Sequence, residues 1–231
     1  MKKSVLILIF AASFSGIIFQ SCKEKGTEKG EMQNLISETK EVSVEDAAAA
    51  TLQNLQDAFK GETTASAKYA AYSKKAEEEG FHNIAMLYHA ASLAENIHAN
   101  NHKVVLEESS QIVPEITPEF TVKSTKENLE DAINGESYES NTMYPEFMIT
   151  AKTAKNELAS ISLNYAYRTE LKHRYMYKEA LATLESNNEM SLPSVYYICP
   201  TCGNTYQTTT PKRCGISMTS SEKFIKLTSL N

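Results

Sequence analysis

From Ser43 to Glu79 apolar residues return every three or four positions, through Leu52, Leu55, Ala58, Phe59, Tyr69 and Tyr72, which is the period of an amphipathic helix. Ser43 ahead of Glu45 and Asp46 supplies an N-cap with acidic residues in the first turn, and Gly80 supplies a stop. A second stripe, Ile84, Leu87, Tyr88, Ala91 and Ala94, predicts a helix from near His82 to about Glu108. Pro114 and Pro118 exclude a regular helix between Ser109 and Lys123. A connection that long suits a crossover along a bundle. Ser124-Thr-Lys-Glu127 has the capping-box pattern and opens a third helix, in which Pro145 predicts a kink. A fourth helix follows a break around Thr153 to Asn156, unmarked by glycine, and runs to about Glu185. Asn187, Asn188 and Pro193 then end the helical pattern. The reading is all-α: a four-helix bundle with a long crossover, plus a small C-terminal domain.

The bundle is duplicated. Asn54 to Glu62, NLQDAFKGE, aligns without a gap on Asn128 to Glu136, NLEDAINGE. Each lone glutamate is followed by a Glu-x-x-His motif, Glu95 with His98 after 33 residues and Glu170 with His173 after 34. Residues three apart on a helix share a face. Two such pairs facing two further glutamates make a dinuclear metal cage. Glu62, Glu95, His98, Glu136, Glu170 and His173 therefore form the candidate site, with Glu139 as a seventh ligand candidate on the same face. Carboxylates and imidazoles with open positions suit iron or manganese, whereas four buried carboxylates without a cation would be strongly unfavourable. Gly61 and Gly135 beside the two glutamates suggest that a close helix or ligand approach needs the space. His82, His89 and His102 lack the duplication and read as surface or ordinary core histidines.

The ends of the chain carry different chemistry. Lys2 and Lys3 precede an apolar run reaching Phe19, then Gln20-Ser21-Cys22. This is the pattern of a secretory signal, and it resembles a bacterial lipoprotein signal in which Cys22 is lipidated. Residues 1–21 are thus read as signal peptide and 22–42 as a flexible polar tether, followed by the bundle at 43–187, a linker at 188–195 and the C-terminal domain at 196–231. The expected location is outside the cytoplasm, on a membrane through a lipid anchor. Three of the four cysteines, Cys199, Cys202 and Cys214, crowd the C-terminal domain. Two Cys-x-x-Cys knuckles would hold iron or zinc in a tetrahedral sulfur site, but the second knuckle ends in Ser217.

The formal charge of -6 and the lack of a basic patch argue against a nucleic-acid binder. Eight glycines and no tryptophan suit long helices better than a turn-rich β fold.

From about Thr51 to the C-terminus the chain resembles the rubrerythrin family, whose seven di-iron ligand types are all present. The resemblance implies a ferritin-like bundle followed by a rubredoxin-like domain, with Phe224 in its closing stretch. It implies bridging by Glu95 and Glu170, terminal ligation by Glu62, Glu136 and His173, and exchange of Glu139 with His98 as one iron changes oxidation state. It further implies reduction of hydrogen peroxide to water in oxidative-stress protection. Tyr69 and Tyr144 would be hydrogen-bond donors near the metals. One iron or zinc at Cys199, Cys202, Cys214 and Ser217 would relay electrons from an external donor, commonly across the interface of a homodimer. Ser217 in place of a fourth thiolate lowers the expected iron potential or favours zinc. Two other functions fit the same cage: a ferroxidase, and a non-catalytic iron-binding or redox-sensing lipoprotein.

Overall fold

The computed structural model describes residues 43–230; the signal, the tether and Cys22 lie outside them. Helix α1 (Val44–Glu78) begins at Ser43, whose Oγ accepts the Asp46 N–H at 3.0 Å. It ends where Gly80 adopts φ +86° and Phe81 N–H reaches back to Ala76 O. Helix α2 (His82–Glu108) returns antiparallel and packs along α1. An extended crossover without helix or strand leads to α3 (Thr125–Tyr138), which opens on a complete Ser124/Glu127 capping box.

The third rod is not one helix. A π turn, Glu139–Met143, separates α3 from α4 (Tyr144–Thr153), and Pro145 sits in the first turn of α4. Proline there lacks only an N–H that the start of a helix leaves unpaired anyway. The break ahead of it is therefore made by the wider π turn. Lys155, at φ +55°, turns the chain, and Asn156 Oδ1 caps α5 (Glu157–Glu185) through Ala159 N–H at 2.9 Å. The α3–α4 rod pairs with α5, and the two hairpins meet through α2 against α5 and α1 against α4.

The duplicated motif explains this pairing. Leu55 and Ala58, and their counterparts Leu129 and Ala132, are all fully buried. Burying each leucine contributes about 1.5–3 kcal/mol.

After α5, Asn83 on α2 holds the linker through Leu192 O at 2.9 Å. Strands β1 (Tyr196–Ile198), β2 (Thr205–Gln207) and β3 (Ile225–Leu227) make an antiparallel sheet in the order β2-β1-β3. Strand side chains alternate between faces. Tyr196 and Ile198 join the bundle core, whereas Tyr197 packs with the cysteines and Phe224 on the other side. β1 thus lies on α2, and β2 lies on α2 and α5.

Candidate metal centres

Glu62 from α1, Glu95 and His98 from α2 and Glu170 from α5 each bring a ligand atom within 4.8 Å of the others. Glu95, Glu136 from α3, Glu170 and His173 form a second group of the same kind. Glu95 and Glu170 belong to both. The cage is therefore two half-sites sharing two carboxylates, all of it buried.

The histidine tautomers are set by groups outside the cage. His98 Nε2 is 3.1 Å from Cys202 O, which can only accept, so Nε2 carries a proton. His173 Nε2 is 3.0 Å from Thr205 Oγ1, whose own hydroxyl donates to Gly203 O. Both Nδ1 atoms consequently face the cage. His98 Nδ1 is 2.9 Å from Glu95 Oε2 and from Glu170 Oε1, and His173 Nδ1 is 3.0 Å from Glu95 Oε1 and from Glu170 Oε2.

Lone pairs this close need a shared positive charge. Burial opposes charging His98, but the Glu170 carboxylate lifts its pKa well above the ordinary histidine value. For His173 burial is likewise outweighed, chiefly by Glu95, and the pKa is raised to about 9. Burial, then the charge of Glu170, pushes Glu62 and Glu136 far above the usual carboxylate range. Glu170 resists burial because His98 holds it far below that range. Protons fill the cage when cations do not, and metal binding displaces them. Glu62 Oε2 and Glu136 Oε2 have no hydrogen-bond partner among the described residues. Buried unpaired acceptors call for an ion, and this oxygen and imidazole donor set fits a pair of cations.

Tyr69 and Tyr144 cross over. Tyr69 donates to Glu136 Oε1 at 2.7 Å and Tyr144 donates to Glu62 Oε1, so each tyrosine serves the glutamate of the other repeat. Tyr69 follows Glu62 by seven residues and Tyr144 follows Glu136 by eight. The extra residue is the one that the π turn inserts.

Glu139 stands apart from the cage. It is half-buried, and it lines a cleft of about 340 Å³ with Lys68, Tyr69, Gly61 and Gly135. Its expected place is taken by His98, seated 3.9 Å from Glu62 Oε1. Burial and the charge of Glu170 still raise its pKa well above the carboxylate range. Of the two expectations from the repeat, a close helix approach is not what the two glycines serve. A Cβ at Gly61 would meet nothing within 4 Å, and one at Gly135 would meet only Tyr69 Oη at 4.0 Å. The space they leave is the cleft itself.

The C-terminal knuckle gathers Cys199, Cys202 and Cys214 into one buried group, all free thiols. Ser217 Oγ lies 3.2 Å from Cys199 Sγ, where a fourth ligand would stand, and 2.8 Å from Thr219 Oγ1. The Cys202 thiol is the largest of several donors that hold the Cys199 pKa down to about 4. The knuckle sits against the cage of its own chain. Gly203 makes this possible. At φ +73° it passes so near that a Cβ would lie 2.3 Å from His98 Nε2. Lys172 secures the contact, reaching Asn204 Oδ1 at 2.5 Å and lying over the Tyr206 ring.

The histidines outside the repeat divide. His82 is exposed beside Glu77 and His89 is half-buried. His102 is fully buried, its Nε2 3.2 Å from Tyr144 Oη and its Nδ1 2.8 Å from Ser162 Oγ. The reading of His102 as an ordinary core residue missed this connection. Its spacing of four from His98, one turn along the cage-facing side of α2, was the available signal.

Comparison with known proteins agrees with this geometry. The rubrerythrin family model matches residues 53–181, a span containing all six cage residues. Rubrerythrin-2 of Clostridium acetobutylicum is 32% identical over 179 residues, covering 76% of this chain and 96% of that protein. Nigerythrin of Nitratidesulfovibrio vulgaris is 31% identical over 179 residues, covering 77% and 87%. Among solved structures, nigerythrin in its fully reduced, all-ferrous state aligns with a TM-score of 0.69 at 29% identity, covering 84% of this chain and 91% of that one. With its cage inside the matched span and its relatives covered over most of their length, the chain belongs to the rubrerythrin family.

Proposed function

We propose that the protein is a di-iron peroxidase that reduces hydrogen peroxide to water. The observation that carries this reading is the pair of half-sites sharing Glu95 and Glu170, each with its own histidine Nδ1 and its own tyrosine donor. Two irons held there would supply the two electrons that cleavage of an O–O bond consumes, one from each.

The chain's own residues do the rest. Glu95 and Glu170 keep the two half-sites together, and Glu62, His98, Glu136 and His173 complete them. Tyr69 and Tyr144 offer protons at the cage wall, where two are needed to make two waters. Burial excludes bulk water, and the cleft at Gly61 and Gly135 is the route by which a small oxidant reaches Tyr69 and Glu139. Cys199, Cys202, Cys214 and Ser217 would hold a single iron or zinc, and iron there would bring one-electron chemistry from a separate donor. The Cys202 carbonyl bonded to His98 is the onward path within the chain.

The test is anaerobic. Protein loaded with ferrous iron is mixed with peroxide and with oxygen while its optical spectrum is followed. Consumption of one peroxide per cage, faster than reaction with oxygen, supports the reading. A strong preference for oxygen favours ferroxidase chemistry, and no oxidation by either leaves an iron-binding role.

The N-terminal pattern supports a location outside the cytoplasm on a lipid tether at Cys22, and a homodimer is the proposed assembly. Labelled palmitate should enter the wild-type chain and be lost with Cys22→Ser. Light scattering of the lipid-free protein reports the assembly.

A further inference from the structure

The two tyrosines of the cage are supplied differently. Tyr69 borders the cleft, so solvent there can replace a proton that it gives up. Tyr144 is 0% exposed, and behind it stands His102, also 0% exposed. Beyond His102 lies Ser162 of α5, at 4% exposure.

The directions of these hydrogen bonds are fixed by counting protons. A metal-binding Glu62 carboxylate can only accept, so the single Tyr144 hydroxyl proton points to Glu62 Oε1. Tyr144 Oη must then accept from His102, which puts the ring proton on Nε2 at 3.2 Å. His102 Nδ1 is left to accept the Ser162 hydroxyl proton at 2.8 Å. All three donors point toward the cage. The arrangement requires a neutral ring, and burial keeps it so.

Among the described residues the other half has nothing equivalent. Behind Tyr69 are the rings of Tyr72, Tyr88 and Tyr177, and the hydroxyls of Tyr88 and Tyr177 have no hydrogen-bond partner. Among the described residues no donor is lined up on Tyr69 from that side.

We infer that Ser162, His102 and Tyr144 form an internal proton line that serves the sealed half of the cage, with His102 as its positioning residue. The inference rests on the peroxidase reading for its purpose, because reduction of peroxide to two waters takes up two protons. One comes through Tyr69 from the cleft and one through Tyr144 from this line. As the Tyr144 Oη proton leaves toward the Glu62 side, the His102 Nε2 proton moves to Oη and the Ser162 proton moves to Nδ1. A proton from solvent replaces the one Ser162 gave. One proton enters, one is delivered, and no electrons move along the line.

Two measurements test it. In protein loaded with zinc and labelled with ¹⁵N-histidine, NMR should find the His102 ring neutral with its proton on Nε2; a proton on Nδ1, or a charged ring, overturns the line. In ferrous-loaded protein, His102→Gln and His102→Leu should bind the same metal as wild type. Their single-turnover oxidation by peroxide should be at least tenfold slower, with a larger rate ratio between H₂O and D₂O. His102→Gln keeps a donor for Tyr144 but cannot pass a proton on. A wild-type rate and an unchanged solvent isotope effect in that variant would reduce His102 to packing and sink the inference. If peroxide fails to oxidise the wild type, the peroxidase reading falls while the tautomer measurement still decides the line.

Discussion

His98 donates its Nε2 proton to the carbonyl of Cys202 at 3.1 Å, across 104 positions of sequence. The bond does two things at once. It seats the cysteine knuckle on the cage wall, and it commits His98 Nδ1 to the cage by occupying the other ring nitrogen. The C-terminal segment thus sets the tautomer of a cage histidine that it does not contain.

Gly203→Ala tests this contact. The new Cβ would lie 2.3 Å from His98 Nε2 on a backbone at φ +73°, so the knuckle must lift. Overpacking of this kind costs about 1–3 kcal/mol. Chemical denaturation should report that loss, and the His98 ring-proton resonance should move while the knuckle still binds metal.

The crossed tyrosines make a pairing prediction. In double-mutant cycles, Tyr144→Phe should couple to Glu62→Gln by about 1 kcal/mol or more, and should be nearly additive with Glu136→Gln. The reverse pattern should hold for Tyr69→Phe. Coupling within each repeat instead of across repeats would contradict the arrangement.

The cage's contribution to the stability of the metal-free chain should fall as pH rises. His98 and His173 have folded-state pKa values above their unfolded ones. Their contribution is complete below the unfolded value of about 6.5 and is lost as pH passes the folded value, about 9 for His173. Glu62 and Glu136, also raised, act in the same direction from lower pH, and Glu170, lowered, opposes them. His173 alone accounts for a loss on the order of 3 kcal/mol. Between pH 6 and pH 9 the lowered thiols of Cys199 and Cys214 add stability and oppose this loss, so thermal unfolding in chelator of a Cys199→Ser, Cys214→Ser chain should show the decline, and loading the cage with metal should abolish it.

Ser217→Cys restores a fourth sulfur beside Cys199. Iron bound at the knuckle should then gain the visible absorption of a four-thiolate centre, bind at least tenfold more tightly, and show a higher reduction potential than in wild type. Spectra and chelator competition would check this, and an unchanged spectrum would mean that position 217 is not a ligand.

Gly61→Ala and Gly135→Ala should each stabilise the bundle by up to about 1 kcal/mol, because glycine is costly within a helix and the added Cβ is unobstructed. Gly61→Leu should fold equally well but slow azide binding to the diferric protein by filling the cleft. Unchanged azide kinetics would mean that small molecules enter elsewhere.

Much of this protein was legible without coordinates. Helix starts at Ser43 and Ser124, the stop at Gly80 and the long crossover are dictated by caps, glycine and proline, all of which act within a few residues. The six residues that meet in the cage were legible because duplication repeats their spacing on a 3.6-residue period. Even the π turn left a trace, in the eight residues from Glu136 to Tyr144 against seven from Glu62 to Tyr69, although Pro145 drew attention instead. What only the tertiary structure decided is which groups meet across helices: Tyr144 with Glu62, His102 with Tyr144, Cys202 with His98, and Glu139 in the cleft wall with His98 seated in the cage. These depend on how four rods and one small sheet settle against one another. Spacing along a helix says which face a side chain occupies, but the partner on the facing helix is chosen by the packing of the whole core.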